Sequence, residues 1–267
     1  MSEFLKQNYE TLTLLTATLA ICLGALWSIV YYAAYAVRSQ LLGKTFWCGN
    51  GGEKNRVALT FDDGPSLDTL EILDFLRREN VKATFFLIGR EVEKYPEIAR
   101  KIADENHEIG NHSYSHPIFL FRSSSRTRRE IENTQEIIKR TTGIEPKIAR
   151  PPCGVRSPAY FAAASKLGLQ TVQWSDTGFD WKKISARRIA ENVLETVQSN
   201  SIVLLHDGDS TGKSNRRATV ESLSLILRGL SEKGLCIAPL AELCPEIYEK
   251  KLNQEVLFQS FRSEKQI

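Results

Sequence analysis

His112 and His116, adjacent Asp62 and Asp63, Arg150 and His206 are the residues of this chain whose types and spacing suit chemistry. Two neutral imidazoles and one carboxylate make a set of metal ligands that leaves positions open for water and substrate. On a helical turn, histidines four apart face the same way, and either Asp62 or Asp63 can supply the carboxylate. A divalent ion held there polarises an amide carbonyl and lowers the pKa of its bound water. A free carboxylate can take that water's proton, and a histidine opposite can protonate a leaving amine. Paired carboxylates also suggest glycoside hydrolysis, but that mechanism leaves His112, His116 and His206 without a role. Singly these signals are bland. An isolated His-x-x-x-His is a capped loop, and adjacent acidic residues are commonly a turn or helix cap, here feeding Ser66. Together they point to a metal site.

The elements that must position these residues are short strands alternating with helices. Strands are expected at Val57–Phe61, Ala83–Leu87, Glu108–Asn111, Lys147–Arg150, Leu169–Trp174, Ser201–His206 and Leu235–Ala238. Ser66 can N-cap a helix in which Leu70, Leu73 and Leu76 recur at helical spacing. Glu130 to Arg140 carries Ile131, Ile137 and Ile138, and Ile189, Val193 and Val197 form another stripe; these are core faces. The alternation predicts an α/β fold with a parallel sheet, open or closed into a barrel. In such folds the C-terminal strand ends share one face, and that face holds the active site. Asp62-Asp63, His112, Arg150 and His206 all stand at such ends, and Asp180-Trp181 follows one closely.

With 267 residues, 42% apolar, the chain can bury one sizeable core, and a net charge of +3 gives no sign of a nucleic-acid partner. Residues 1–10 read as an N-terminal tail. Thr11 to Val37 carries no charge and is long enough to cross a hydrocarbon layer of ~30 Å as a transmembrane anchor. Trp27, Tyr31, Tyr32 and Tyr35 crowd its end as interfacial aromatics do. Ala34-Tyr35-Ala36 has the form of a signal-peptide cleavage site, but the apolar run is too long for one. Leu19-Ala20-Ile21-Cys22 fits a lipoprotein signal poorly. Residues 38–56 read as a linker, 57–243 as the catalytic domain and 244–267 as a C-terminal tail. Arg38, Lys44, Lys54 and Arg56 after the span, against Lys6 before it, would put the domain in the cytoplasm by the positive-inside rule.

Thr60-Phe61-Asp62-Asp63-Gly64-Pro65, His112-Ser113-Tyr114-Ser115-His116, Arg150-Pro151-Pro152-Cys153-Gly154, Asp180-Trp181 and Leu204-Leu205-His206 resemble, in order, the five motifs of the polysaccharide deacetylases. That family is carbohydrate esterase family 4, the NodB-homology domain, and the resemblance spans about residues 56 to 243. It implies a distorted barrel of seven or eight β/α units and a divalent ion, Zn²⁺ foremost. By position Asp62 is similar to the general base, and Asp63, His112 and His116 to the metal ligands. Arg150 resembles the arginine that ion-pairs with the base. His206 resembles the general acid, oriented by Asp180. Trp181 and Leu204 resemble the walls of the pocket for the acetyl methyl. The substrate implied is an N-acetylated glycan, peptidoglycan or another bacterial envelope polysaccharide, with the domain outside the cytoplasmic membrane. A lipid-linked sugar and a non-catalytic glycan-binding role are the rivals, and the intact set of site residues speaks against the second.

The chain departs from the family pattern at Cys153, where an aromatic residue is usual. A backbone N–H survives any change of side chain, so a role in binding the tetrahedral oxyanion can stand. The thiol itself reads as an inert small filler rather than a reactive group. The five cysteines form no C-x-x-C pair. Cys236 and Cys244 could bridge in an oxidising compartment, though unpaired buried thiols are the simpler expectation. His107 lacks a strand-end setting and reads as structural. Arg122, Arg126, Arg128 and Arg129 read as a solvated face, with anionic lipid or glycan phosphate as the alternative.

Overall fold

The structure, a computed structural model, describes residues 3–50 and 55–248. Residues 1–2 of the N-terminal tail, residues 51–54 of the expected linker (Lys54 among them) and residues 249–267 of the C-terminal tail lie outside the described residues.

The chain opens with one long helix, α1 (Glu3–Tyr35), in which Asn8–Tyr35 is long and apolar enough to cross a membrane. Strand and helix then alternate as β1 (Thr45–Phe46), β2 (Arg56–Asp62), α2 (Leu67–Arg78), β3 (Thr84–Leu87), α3 (Gly89–Lys94), α4 (Pro96–Asp104) and β4 (Glu108–Asn111). The second half runs α5 (Ser124–Thr142), β5 (Ile148–Ala149), α6 (Pro158–Lys166), β6 (Gln170–Val172), β7 (Asp176–Thr177), α7 (Ala186–Thr196), β8 (Ile202–His206), α8 (Arg217–Glu232), β9 (Cys236–Ile237) and α9 (Leu240–Leu243). The sheet order is β1-β6-β5-β4-β3-β2-β8-β7, with β9 against the start of β2, and these strand pairs are parallel. The result is a curled half-barrel, in keeping with the distorted barrel that the family resemblance implies.

β2 shows how sequence alternation sorts the two faces. Val57, Leu59 and Phe61 point to the helix layer, where they pack with Leu73, Leu76, Val193 and Ile226. Ala58 points the other way, into the barrel with Phe86, Ile148, Val172 and Ile202. Both faces are covered, so the strand reads as a nearly continuous apolar run. Period two then puts Thr60 and Asp62 on the interior face with Ala58. β8 repeats the pattern, Val203 and Leu205 outward and Ile202 inward. Its register sets His206 beside Asp62.

Helix starts follow the local chemistry. The Ser66 side chain accepts the Asp68 N–H at 3.1 Å, and the Ser66 N–H donates to Thr69 Oγ1 at 2.8 Å, a reciprocal cap on α2. Leu73 and Leu76 are buried as expected, while Leu70 is only half-buried. Ile189 and Val193 line the buried face of α7, and Val197 caps its end.

Two strands were not expected. β1 falls inside the segment read as a linker, pairs with β6, and leads to Cys48, which bridges Ser201 ahead of β8. That stretch therefore ties the two flanks of the half-barrel together. β7 joins the edge of β8. A two-residue strand carries no periodicity that a sequence could display. All five cysteines are free: Cys236 is exposed and Cys244 buried, with no bridge between them.

Candidate active site

The C-terminal ends of β2, β4, β5 and β8 converge on one cleft of about 520 Å³. Its lining includes Asp62, Asp63, His112, His116, Cys153, Trp174, Trp181, Leu204 and His206. A shallower groove of about 410 Å³, by Phe75, Leu227 and Arg228, lies away from these groups.

At the end of β2 the two aspartates part company. Asp62 continues the strand, and Asp63 turns into the left-handed region at φ 74°, which Asp tolerates better than most residues. The turn is tight. A Cβ on Gly64 would lie 2.0 Å from Asp207 Oδ2, so only glycine fits there. The Asp62 Oδ1 takes a 2.7 Å ion pair from Arg150 Nη1. Asp63 Oδ1 lies 3.5 Å from His112 Nε2 and 3.2 Å from His116 Nε2. This oxygen is buried and has no hydrogen-bond partner among the described residues.

His112 follows β4 directly, and its Nδ1 lies 2.7 Å from the Arg150 carbonyl. A carbonyl only accepts, so Nδ1 carries the proton and Nε2 is left with a free lone pair. His116 lies in an irregular loop rather than on the helical turn that the spacing suggested. Ser113 and His116 both have positive φ, 66° and 59°. Residues remote in sequence hold this loop. Glu130 on α5 accepts the Tyr114 and Ser115 N–H groups at 3.0 and 2.8 Å and the Ser115 hydroxyl at 2.8 Å. Asn111 Oδ1 accepts the Ser113 N–H at 3.0 Å.

One ligand atom from each of Asp63, His112 and His116 lies within 4.8 Å of the others. The electrostatics suit a cation. Burial opposes charge on Asp63, but His112, His116 and His206 outweigh it and hold the carboxyl well below its usual range. Burial and the neighbouring His112 depress His116 to about 4, so its imidazole is neutral at physiological pH. For His112 burial is overcome by Asp62 and Asp63, which raise its pKa. Carboxylates drawing positive charge, an unpartnered buried oxygen and an imidazole of fixed tautomer fit a divalent ion.

Arg150 extends from the end of β5 and is 1% exposed. Beyond Asp62 it donates to Thr60 Oγ1 at 2.8 Å, to the Gln173 carbonyl at 2.9 Å and to the Val172 carbonyl at 3.3 Å. Its guanidinium stacks over Phe86 at 4.1 Å. On the other flank of β2, His206 Nδ1 lies 2.8 Å from Asp180 Oδ1, and Asp180 Oδ2 accepts the His206 backbone N–H at 2.8 Å. One carboxylate thus fixes both ring and main chain. Asp180 also accepts from Thr219 at 2.8 Å, and its carbonyl takes Arg216 Nη1 at 3.3 Å. Burial disfavours the charged imidazole, but Asp180, Asp63 and Asp62 prevail and raise the His206 pKa to about 9.

The remaining expected residues form walls. The Trp181 ring meets His206 edge-on at 5.4 Å, and Leu204 is 3% exposed at the floor. Cys153 sits in a left-handed turn at φ 54°, followed by Gly154 at φ 68°, where a Cβ would come 2.7 Å from Trp174. Burial, then Asp63 and Asp62, raise the Cys153 pKa, which keeps it a thiol. His107 packs edge-on against Phe85 and accepts the Ala83 N–H at 3.2 Å, far from the cleft. Arg126, Arg128 and Arg129 are exposed on the first turns of α5, and Arg122 precedes that helix. Glu130, Thr219 and Arg216 hold the site although no local pattern in the sequence marks them, and Thr60, which opens the first motif, is a second partner of Arg150.

A family model described as polysaccharide deacetylase matches residues 49–172. A peptidoglycan-N-acetylglucosamine deacetylase of Bacillus cereus is 41% identical over 199 residues, covering 74% of this chain and 71% of that relative. The peptidoglycan-N-acetylglucosamine deacetylase PgdA of Listeria monocytogenes is 36% identical over 72% of this chain and 39% of its own length. Among solved structures, the Bc1960 peptidoglycan N-acetylglucosamine deacetylase superposes with a TM-score of 0.71 at 39% identity, over 75% of this chain and 92% of that one.

Proposed function

The chain belongs to the polysaccharide deacetylase family, and from that premise we propose that it removes N-acetyl groups from the amino sugars of an envelope glycan, peptidoglycan foremost. The observation that carries this reading is the division of the cleft. A three-residue ligand cluster lies beside a separate carboxylate paired to Arg150, and a carboxylate-oriented histidine stands on the next strand.

In this reading Asp63, His112 and His116 hold a divalent ion, and two imidazoles with one carboxylate suit Zn²⁺. When bound, such an ion polarises the acetyl carbonyl and acidifies water. Asp62 keeps Oδ1 on Arg150 and accepts a proton from the attacking water through Oδ2. The Cys153 backbone N–H donates to the oxygen that gains charge in the tetrahedral intermediate. His206, with Nδ1 committed to Asp180, delivers a proton from Nε2 to the sugar nitrogen as the C–N bond breaks. Acetate and a free amino sugar leave. Trp181 and Leu204 enclose the acetyl methyl.

The apolar helix serves as a single-pass anchor in the cytoplasmic membrane, with residues 57–243 outside it as the catalytic domain. Of the cations that argue for the opposite orientation, the three that lie among the described residues are engaged in the fold. Arg38 stacks on Trp47 at 4.6 Å, Lys44 on Phe46 at 4.5 Å, and Arg56 pairs with Glu242.

The test is acetate release from a panel of peptidoglycan fragments, other N-acetylated oligosaccharides and a lipid-linked acetylated sugar. Turnover that favours peptidoglycan fragments supports the proposal. Turnover confined to the lipid-linked sugar replaces the substrate, and no acetate from any member, with metal supplied, leaves only a binding role.

A further inference from the structure

Two arginines of the same loop are buried, and only one has an ionic partner. Arg150 is paired with Asp62. Arg156 is 0% exposed, yet among the described residues no carboxylate stands within ion-pair distance, and its Nε has no hydrogen-bond partner. Burying an unpaired guanidinium is costly, so its acceptors are informative. They are carbonyls in the last turn of α1 and just past its end. Arg156 Nη2 donates to Ala36 at 2.6 Å and Ala33 at 3.1 Å, and Nη1 reaches Val37 at 3.5 Å. The Arg156 backbone N–H donates to Ala34 at 3.0 Å, and Nη1 also reaches the Gly154 carbonyl at 3.4 Å. The last carbonyls of a helix lack intrahelical donors and carry the negative end of its dipole. Arg156 meets both needs at once. Burial changes abruptly at the same place. Residues 8–32 are exposed, whereas Ala33 and Ala34 are 7% and 1% exposed.

We propose that Arg156 is a clasp that docks the last turn of the apolar helix rigidly onto the catalytic domain, so that the helix is a retained anchor and not a cleaved signal. Removal at Ala34-Tyr35-Ala36 would take away Ala33, Ala34 and Ala36, leaving the guanidinium only the long contacts to Val37 and Gly154. A donor left unmet in a buried site costs more than a normal hydrogen bond contributes, and more still on a charged group. The apolar stretch Asn8–Tyr35 has 28 residues. It reaches roughly 42 Å at ~1.5 Å per residue, against ~30 Å of hydrocarbon. The docked turn can therefore stand clear of the bilayer while the rest spans it. The clasp sits in the loop that carries Arg150 and Cys153, so it fixes the cleft relative to the membrane. For a domain of about 190 residues, roughly 40 Å across by its expected radius of gyration, the cleft is held within that distance of the bilayer instead of swinging on a tether.

The test uses the full chain in lipid nanodiscs and reads no turnover, so it is independent of the deacetylase assignment. Genetically encoded spin labels go at Trp27, on the exposed helix, and Ser165, exposed on α6. Pulsed dipolar spectroscopy should give one narrow distance distribution in the wild type, broadening at least twofold in Arg156→Gln. Ala34→Phe, which crowds the buried helix end and leaves the domain's own residues alone, should broaden it likewise. A wild-type distribution as broad as a flexible tether overturns the proposal, as does one that stays narrow in Arg156→Gln. If Arg156→Gln loses its cooperative melt, Ala34→Phe decides by the same criterion. Recovery from membranes of a chain starting after Ala36 also overturns it.

Discussion

Arg150 Nη1 and Asp62 Oδ1 stand 2.7 Å apart, with Arg150 1% and Asp62 3% exposed. The pair joins the ends of β5 and β2 across the barrel interior. It occupies one oxygen of Asp62 and leaves Asp63, one residue on, to the two histidines. Separation of the two aspartates follows from this contact and from the left-handed turn at Asp63.

Arg150→Met should therefore do two things. It strands a buried carboxylate, which typically costs 3–5 kcal/mol, and it frees Asp62 from its fixed position. We expect a clear fall in melting temperature together with a drop in turnover on the order of 10²-fold. Thermal unfolding and acetate release measured on the same preparation check both. Full activity in a stable variant would remove Arg150 from the account.

His206 should matter for turnover and not for metal binding. His206→Ala is expected to retain its metal and lose roughly 10²-fold or more in rate. Asp180 adds a pH signature. Against the effect of burial, Asp180 leads the groups that raise the His206 pKa to about 9. A general acid must be protonated, so activity should fall as pH rises through that value. Asp180→Asn should move the alkaline limb of the kcat profile to lower pH. An unmoved limb would mean that another group sets it.

A stability prediction concerns His107. Burial, aided by Lys82, lowers its pKa to about 4 from an ordinary 6.5. A depressed folded-state pKa contributes stability that is present above the unfolded value and lost as pH falls through the folded one. The window is therefore pH 6.5 down to about 4, and the full effect is on the order of 3 kcal/mol. Protonation also costs the 3.2 Å bond in which Nδ1 accepts the Ala83 N–H. His107→Asn should melt at a temperature that varies less across this window. An identical acid slope in variant and wild type would assign it to other groups.

Topology offers a separate check. Protease added to intact spheroplasts should degrade the catalytic domain if it lies outside the cytoplasmic membrane. Full protection would place it inside, and the envelope polymer could not be its substrate.

Much of this molecule is legible in its sequence because strand-end chemistry is local. β4 spans Glu108–Asn111 as the pattern predicts, and His112 follows it directly. Asp62, Arg150 and His206 end their strands or follow them likewise, and topology does the rest. What could not be read is of two kinds. β1 and β7 are two residues long, too short for any period. The groups that hold the site from outside the motifs, Glu130 and Thr219, are ordinary residues of two helices whose roles arise only from packing. The His-x-x-x-His spacing was informative for a reason other than the expected one. The rings converge through two positive-φ residues in a loop pinned by Glu130, not through a helical turn. Arg156 gave no sequence signal either, since apart from Gly154 its partners are backbone carbonyls more than a hundred residues away.

The most direct test of the account is the pair Asp62→Asn and Asp63→Ala, with bound metal and acetate release measured on each. If Asp63 holds the ion and Asp62 takes the proton, Asp62→Asn keeps its fold and metal while turnover collapses by at least about 10²-fold. Asp63→Ala loses metal affinity, and its activity recovers at most partly in excess metal. Loss of metal by Asp62→Asn with retention by Asp63→Ala would contradict the assignment and exchange the two roles.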